Sequence, residues 1–146
     1  MLMDLTLIDP SELALITACL LFLTALLTGV WKYADMIKSP DKKAHRYIDT
    51  AHYASFFYTF ACLFLAELAE LSALSVQWNY LAIGTLCTFF VGTIIQYAWL
   101  GYTQKTTNQF DTKSKTIHIL MYLLIVGEIG SFMILFFGFM KGVFLL

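Results

Sequence analysis

The sequence has few charged residues and a single arginine. Asp, Glu, Lys and Arg make up 13% of the 146 residues, about half of the share that is typical of soluble proteins. The basic residues form no long run, which excludes the basic patch of a nucleic-acid-binding protein. One arginine is also too few for the arginine-rich helix of a voltage sensor.

Proline and cysteine are scarce as well, and their positions exclude further kinds of site. Pro10 and Pro40 both lie outside the centres of the apolar stretches. Carriers that bind a substrate at the membrane midplane usually have helices interrupted by proline or paired glycine, so this pattern weighs against a carrier. Cys19, Cys62 and Cys87 lie inside apolar stretches, where they are typical of small packing residues and not of a disulfide set or metal cluster.

Long apolar stretches are what the sequence does contain. Hydrophobic residues make up 60% of the chain, and four stretches each reach the roughly 20 residues needed to cross a bilayer. They run approximately over residues 11–31, 51–74, 80–101 and 117–139. The sequence therefore predicts an all-α, four-helix transmembrane bundle that forms a single integral membrane domain over residues 1–146, with the lipid bilayer as its solvent.

The first predicted span begins with a helix-start signal. Asp9 is a suitable N-cap, Pro10 fits the first helical position, and Glu12 can reach back to the cap. No lysine or arginine precedes the first apolar run, unlike in a cleaved secretory signal. We expect the first span to be retained.

The basic residues cluster in two of the three connections, and this predicts the orientation. The second connection, predicted over 75–79, has none, and the N-terminal tail carries Asp4 and Asp9 without a base. By the positive-inside rule both basic connections lie in the cytoplasm and both termini lie outside. The basic residues are Lys32, Lys38, Lys42, Lys43 and Arg46 in the first connection, and Lys105, Lys113 and Lys115 in the third.

Small residues line one face of the fourth span. Gly127, Ser131, Gly138 and Gly142 fall within about 60° of one another on a helix. In lipid, small residues permit close approach of helix backbones and so indicate a packing face. The face is compatible with packing inside one chain and with a homo-oligomer interface, and the sequence leaves both open.

Three polar side chains within the spans need partners. Threonines on the first and third spans can bond to their own backbone, but the amide of Gln96 cannot and must meet another helix or a wet cavity. Glu67 and Glu128 lie inside the second and fourth spans, where an acid is costly unless it is neutralised or paired. Either acid fits a hydrogen-bonded polar core, a proton site or a general acid.

Three histidines are expected near the cytoplasmic boundary. His45 lies in the first connection, His52 opens the second span and His118 opens the fourth. Histidine is a frequent ligand of metals and haem, but polar and aromatic residues are also expected at any membrane interface.

The order of several short motifs resembles a known family. Leu27-Thr28-Gly29 closes the first span, Ala51-His52 opens the second, and Asn108-Gln109-Phe110 follows the third. In this order the chain resembles the four-span membrane family that includes styrene oxide isomerase and hydroxylaminobenzene mutase. Two features depart from the pattern. The family has an active-site asparagine six residues after its histidine, where this chain has Tyr58, and residues 53–57 carry aromatic rings where the family tends to have glycine and other small residues.

The resemblance implies a cofactor, a reaction and a location. It implies that His52 is the axial ligand of haem b, whose ferric iron acts as a Lewis acid and opens an epoxide to a carbonyl product. It implies Asn108 and Gln109 as nearby polar positions, and Gln96 is a further catalytic candidate. It also implies a small apolar substrate and, with the compactness of the chain, a bacterial inner membrane.

Three functions therefore stay open at the level of sequence. The first is a haem-binding, isomerase-like membrane enzyme. The second is a non-catalytic accessory or partner-binding subunit that forms a homo-oligomer through the small-residue face. The third is a proton-coupled carrier that uses Glu67 and Glu128.

Overall fold

The computed structural model describes residues 8–111 and 115–144. These residues form four helices in chain order and contain no strand. The all-α, four-helix prediction is confirmed. The helices are α1 (Pro10–Lys38), α2 (Arg46–Glu70), α3 (Val76–Thr103) and α4 (Lys115–Phe144).

The helices extend beyond the predicted spans at every boundary except the end of α2. α2 ends at Glu70, four residues before the predicted end at Leu74, and α3 begins at Val76. The second connection is therefore residues 71–75 and not 75–79. Apolar composition continues through this connection because its residues pack against α4, so hydrophobicity alone misplaces the end of the helix.

The predicted helix start of α1 is present. The backbone N–H of Ser11 donates to Asp9 Oδ1 at 3.1 Å, and the N–H of Asp9 donates to Glu12 Oε2 at 2.9 Å. Pro10 occupies the start of the helix, where no N–H is needed. Two backbone donors are thus satisfied at a helix end that has no preceding turn.

α1 and α2 form the most extensive contact in the bundle. Small side chains recur at helical spacing along the buried faces of both helices, together with larger ones such as Leu21 and Leu65. Small side chains let two helix backbones approach closely, which is the main source of helix association in lipid. This surface is the alanine seam: Ala14, Ala18 and Ala25 on α1, and Ala51, Ser55, Cys62, Ala66 and Ala69 on α2.

The hydrogen bonds predicted from threonine hydroxyls to the backbone of their own helix are also present. The hydroxyl of Thr17 donates to the Leu13 carbonyl at 2.8 Å, and that of Thr88 donates to the Gly84 carbonyl at 2.7 Å. A hydroxyl satisfied in this way needs no partner on another helix. The hydroxyls of these two threonines therefore indicate no polar site.

The small-residue face of α4 packs against this same chain. A Cβ added to Gly127 would lie 2.2 Å from Phe89 Cε2, and one added to Gly142 would lie 2.2 Å from the Leu71 carbonyl oxygen. The carbonyl of Gly138 accepts a hydrogen bond from the Ala73 N–H at 3.0 Å, and Ser131 is buried. Within the chain, the face contacts α3 and the second connection.

The ends of the helices alternate between the two ends of the bundle. The Gln104 amide after α3 donates to Asp35 Oδ1 near the end of α1, at 3.2 Å. The Tyr80 hydroxyl near the start of α3 donates to the Ile8 carbonyl. The first and third connections therefore share one end, as predicted. Asp4 and Lys113, which also entered the charge argument, lie outside the described residues.

Three of the four helices, α1, α3 and α4, are long and apolar enough to cross a membrane. Among the described residues α2 is not one of them, and its buried face carries polar groups such as Ser55 and Thr59. Its opposite face is aromatic and exposed, with Phe57 and Phe60 at 72% and 62% exposure. An apolar exposed surface of this extent is typical of a bundle whose surroundings are apolar.

Asp35 joins three parts of the chain at the basic end. Its Oδ2 accepts the His45 N–H at 2.7 Å, and its Oδ1 accepts the Gln104 amide. Close by, the Ser39 hydroxyl and the Lys43 N–H hold the pKa of Asp41 below its usual value. The first connection is thus ordered by carboxylates that accept backbone and side-chain donors.

We expect Asp35→Ala to open the first connection while the helices persist. Hydrogen bonds to a charged acceptor contribute about 1.5–3 kcal/mol each, so hydrogen exchange at the His45 amide should accelerate at least tenfold. The Leu71 amide, which donates to the Glu67 carbonyl at the other end of the bundle, serves as the internal control. Unchanged exchange at His45 would contradict the assigned role of Asp35.

Candidate functional site

His52 is fixed against α1 by a hydrogen bond to the backbone. Its Nδ1 lies 2.9 Å from the Ala25 carbonyl oxygen. A carbonyl only accepts, so Nδ1 carries the hydrogen and Nε2 carries the lone pair. A ring held in this way has one fixed orientation and one nitrogen prepared for an electrophile.

The space for the His52 ring is provided by a glycine on α1. A Cβ at Gly29 would lie 3.0 Å from His52 Cε1 and 3.3 Å from Nδ1. The ring also meets Phe56 edge-on, with centroids 5.2 Å apart, and Tyr53 at 5.3 Å. Leu27-Thr28-Gly29 and Ala51-His52, the two motifs of the resemblance, therefore lie opposite each other across the α1–α2 contact.

A polar cluster lies beside this ring. Lys32 Nζ is 2.5 Å from Asp49 Oδ1 and 3.0 Å from the Tyr53 hydroxyl, and it lies 4.2 Å from the centroid of the Tyr53 ring. Lys32 is thus the cation of α1 that contacts these α2 side chains, and its charge is paired with that of Asp49.

The other polar candidates meet on a different face of the bundle. The Gln96 amide donates to Gln109 Oε1 at 2.9 Å, and the Gln109 N–H donates to the Tyr47 hydroxyl at 2.6 Å. The Tyr47 ring stacks on Tyr97, with centroids 6.0 Å apart. The structure therefore gives Gln96 a partner in the third connection, where the sequence led us to expect another helix or a wet cavity.

Asn108 has a local role in the third connection. Its amide donates to Asp111 Oδ1 at 2.9 Å, and its Oδ1 accepts the Phe110 N–H at 3.1 Å. Both bonds stay within four residues, as in an Asx turn. The structure shows Asn108 as a turn residue.

The candidates thus form two groups. Tyr47, which contacts the glutamine pair, and His52 are five residues apart on α2 and project about 140° from each other. The hydrogen bond of His52 goes to α1, whereas those of Gln96 and Asn108 go to residues of the third connection. Tyr58, at the position of the family asparagine, stacks on Phe90 with centroids 4.3 Å apart.

The remaining histidines have separate structural contacts. His45 is the N-cap of α2, and its Nδ1 accepts the Tyr47 N–H at 3.3 Å. His118 meets Phe110, with ring centroids 6.2 Å apart. The described part of the chain contains no group of three or more His, Cys, Asp or Glu side chains arranged to hold a metal ion.

The two intramembrane acids differ in their surroundings. Glu67 is exposed on α2. Glu128 is half-buried on α4, and its Oε1 has no hydrogen-bond partner among the residues described. Tyr58 on α2 and Tyr97 on α3 lie within electrostatic range of its carboxyl group.

Two features of the site were not found by sequence reasoning. The Ala25 carbonyl has no side-chain signal, because every residue has such an acceptor. The contact between Gly29 and His52 carried a signal, since a glycine at the end of one span and a histidine at the start of the next must lie at the same end of the bundle.

Comparison of the chain with family models, with curated proteins and with solved structures finds no match. The comparisons therefore assign it to no family.

Proposed function

We propose that the protein is an integral protein of the bacterial inner membrane, with both termini outside, and that His52 binds the iron of haem b. The hydrogen bond from Nδ1 to the Ala25 carbonyl carries this proposal. Ligating histidines commonly donate their second ring N–H to a backbone carbonyl, which fixes the ring and makes the ligating nitrogen more basic.

The surroundings of His52 fit an apolar macrocycle. Phe56 lies edge-on to the imidazole and also meets Phe22, with ring centroids 5.9 Å apart. Val30 and Leu26 on α1 are exposed apolar side chains within one turn of Gly29. Aromatic and aliphatic side chains beside a fixed imidazole provide the low-polarity surface that haem requires.

The proposed reaction is isomerisation of a small apolar epoxide. Bound ferric iron would supply Lewis-acid catalysis for converting an epoxide into its carbonyl isomer, a change that needs no net oxidation. Within this chain His52 binds and orients, Gly29 leaves space for its ring, and the exposed apolar surface admits the substrate from lipid.

We expect His52→Ala to remove haem from the purified protein. Wild-type protein from cells supplied with 5-aminolevulinate should show a Soret band. The variant should lose this band because no other imidazole is held at the α1–α2 contact beside Gly29. Addition of free imidazole should restore part of the band in His52→Ala. Conversion of styrene oxide to phenylacetaldehyde should follow the same pattern.

His118→Ala is the matched control, since His118 contacts Phe110 and not α1. It should retain the Soret band. A colourless wild-type protein, or equal absorption of wild type and His52→Ala, would refute the haem proposal.

A second candidate function is a non-catalytic subunit that associates through α4. This helix is the least buried of the three candidate spans, with 11% of its most apolar stretch covered by the rest of the bundle. Its exposed side chains include Val126 and Phe137. A colourless protein that cross-links to itself through cysteines placed at these two positions would favour this function and a homo-oligomer.

A further inference from the structure

A groove lies between α2, α3 and α4, at the depth of the centre of the fourth predicted span. Its volume is about 350 Å³, and its walls include Ala61 and Leu65 from α2 and Phe90 from α3. Ala61 is nine residues from His52, which corresponds to about 14 Å along the α2 axis. The groove is therefore separate from the proposed haem site.

One ionisable group lies in this apolar groove. Glu128 lines it together with Ile129 and Phe132 of α4. Glu128 Oε1 is buried and accepts no hydrogen bond from the residues in the described ranges. A buried carboxyl oxygen without a donor is destabilising by about 1–3 kcal/mol, so a ligand that supplies the donor recovers that free energy.

Aromatic rings form much of the wall of the groove. Phe64, Phe90 and Phe132 line it, and Tyr58, one turn before Ala61 on α2, stacks on Phe90 with ring centroids 4.3 Å apart. The Tyr58 hydroxyl lies beside Thr93. The walls thus offer flat apolar faces with a single acid between them, which suits an aromatic body with one polar group.

We propose that this groove binds a small lipophilic amine, with its nitrogen at the Glu128 carboxyl and its apolar body against Phe90 and Phe132. An amine can take the carboxyl proton and donate it back as an N–H, which gives a charge-assisted hydrogen bond. An alcohol of the same shape forms only a neutral one. The volume is at the small end of the range for ligand pockets, about 300–1,000 Å³, and fits one or two fused rings.

The experiment compares two fluorescent isosteres on the full-length protein in lipid nanodiscs. 1-Naphthylmethylamine is the probe, 1-naphthalenemethanol is its uncharged counterpart, and empty nanodiscs give the partition into lipid alone. We expect saturable binding of the amine, about tenfold tighter than that of the alcohol, which corresponds to about 1.4 kcal/mol, because a charge-assisted hydrogen bond is stronger than a neutral one.

Two variants test the groove by charge and by volume. Glu128→Gln keeps the shape and should weaken amine binding about tenfold while leaving the alcohol unchanged. Glu67→Gln makes the same chemical change at an exposed acid outside the groove and should leave both probes unchanged. Ala61→Phe fills the groove and should weaken both.

The comparison of amine and alcohol binding uses the wild-type protein, so it does not depend on whether a variant folds. Equal affinity for amine and alcohol, or partition no greater than into empty nanodiscs, would overturn the proposal and indicate a groove filled by lipid chains. Loss of amine binding in Glu67→Gln as in Glu128→Gln would also overturn it. The haem proposal is read from the Soret band and is unaffected by these results.

Discussion

Gly138→Leu is expected to destabilise the folded chain itself. A Cβ at this position would lie 2.2 Å from Ser72 Oγ and 2.9 Å from two carbons of Leu74, and leucine adds three further carbons. Forcing extra methylenes into a packed site costs typically about 1–3 kcal/mol. We expect the upper end, because the Gly138 carbonyl must also keep its bond to the Ala73 N–H. Unfolding by SDS titration in mixed micelles, followed by loss of helical circular dichroism, measures the change.

Gly130→Leu is the matched control on the same helix. Gly130 is exposed, and a Cβ there would meet nothing within 4 Å in the described chain. Leucine also has the better helix propensity, by about 1 kcal/mol, so stability should stay equal or rise. If Gly138→Leu instead leaves unfolding unchanged but dissociates an oligomer, the assignment of this face to intramolecular packing is wrong.

The second large effect is expected at the alanine seam. Ala18 is 2% exposed and belongs to the same buried cluster as Cys62, Leu65 and Ala66. Ala18→Leu must push α2 away from α1 or distort neighbouring side chains, so we expect a loss of about 1–3 kcal/mol. The same SDS titration measures it, and a distance between spin labels on α1 and α2 should increase.

Ala34→Leu makes the same change at an exposed position of α1. It should leave both the unfolding midpoint and the α1–α2 distance unchanged. Equal stability of Ala18→Leu and wild type would show that the seam has space for a larger side chain, contrary to its burial in the structure.

Local features of this chain could be predicted because they depend on residues close in sequence. The capping box of Asp9 and Glu12 and the threonine bonds to preceding carbonyls need only one helix. The glycine face of α4 could be recognised from its spacing, but what packs against it could not. Periodicity defines the direction in which a side chain projects from the axis of its own helix. It contains no information about which helix packs against that side chain.

The features that could not be predicted from the sequence have the same physical origin. The end of α2 at Glu70 depends on contacts of residues 71–75 with α4, and these contacts are remote in sequence. Asn108 and Gln109 are adjacent, yet one bonds within its turn and the other bonds to Gln96 on α3. Glu128 has aromatic neighbours from two other helices, which no local pattern indicates.

The unequal contacts among the helices have a consequence for biogenesis. α1 packs most extensively on its immediate successor α2, while in the described residues α4 contacts α2 and α3 only and does not reach α1. Because the chain leaves the ribosome from its N-terminus, the first hairpin can fold before the last helix has been synthesised. We expect the hairpin of α1 and α2 to form early in synthesis. The bundle is completed later, when the glycines of α4 pack against the connection between α2 and α3.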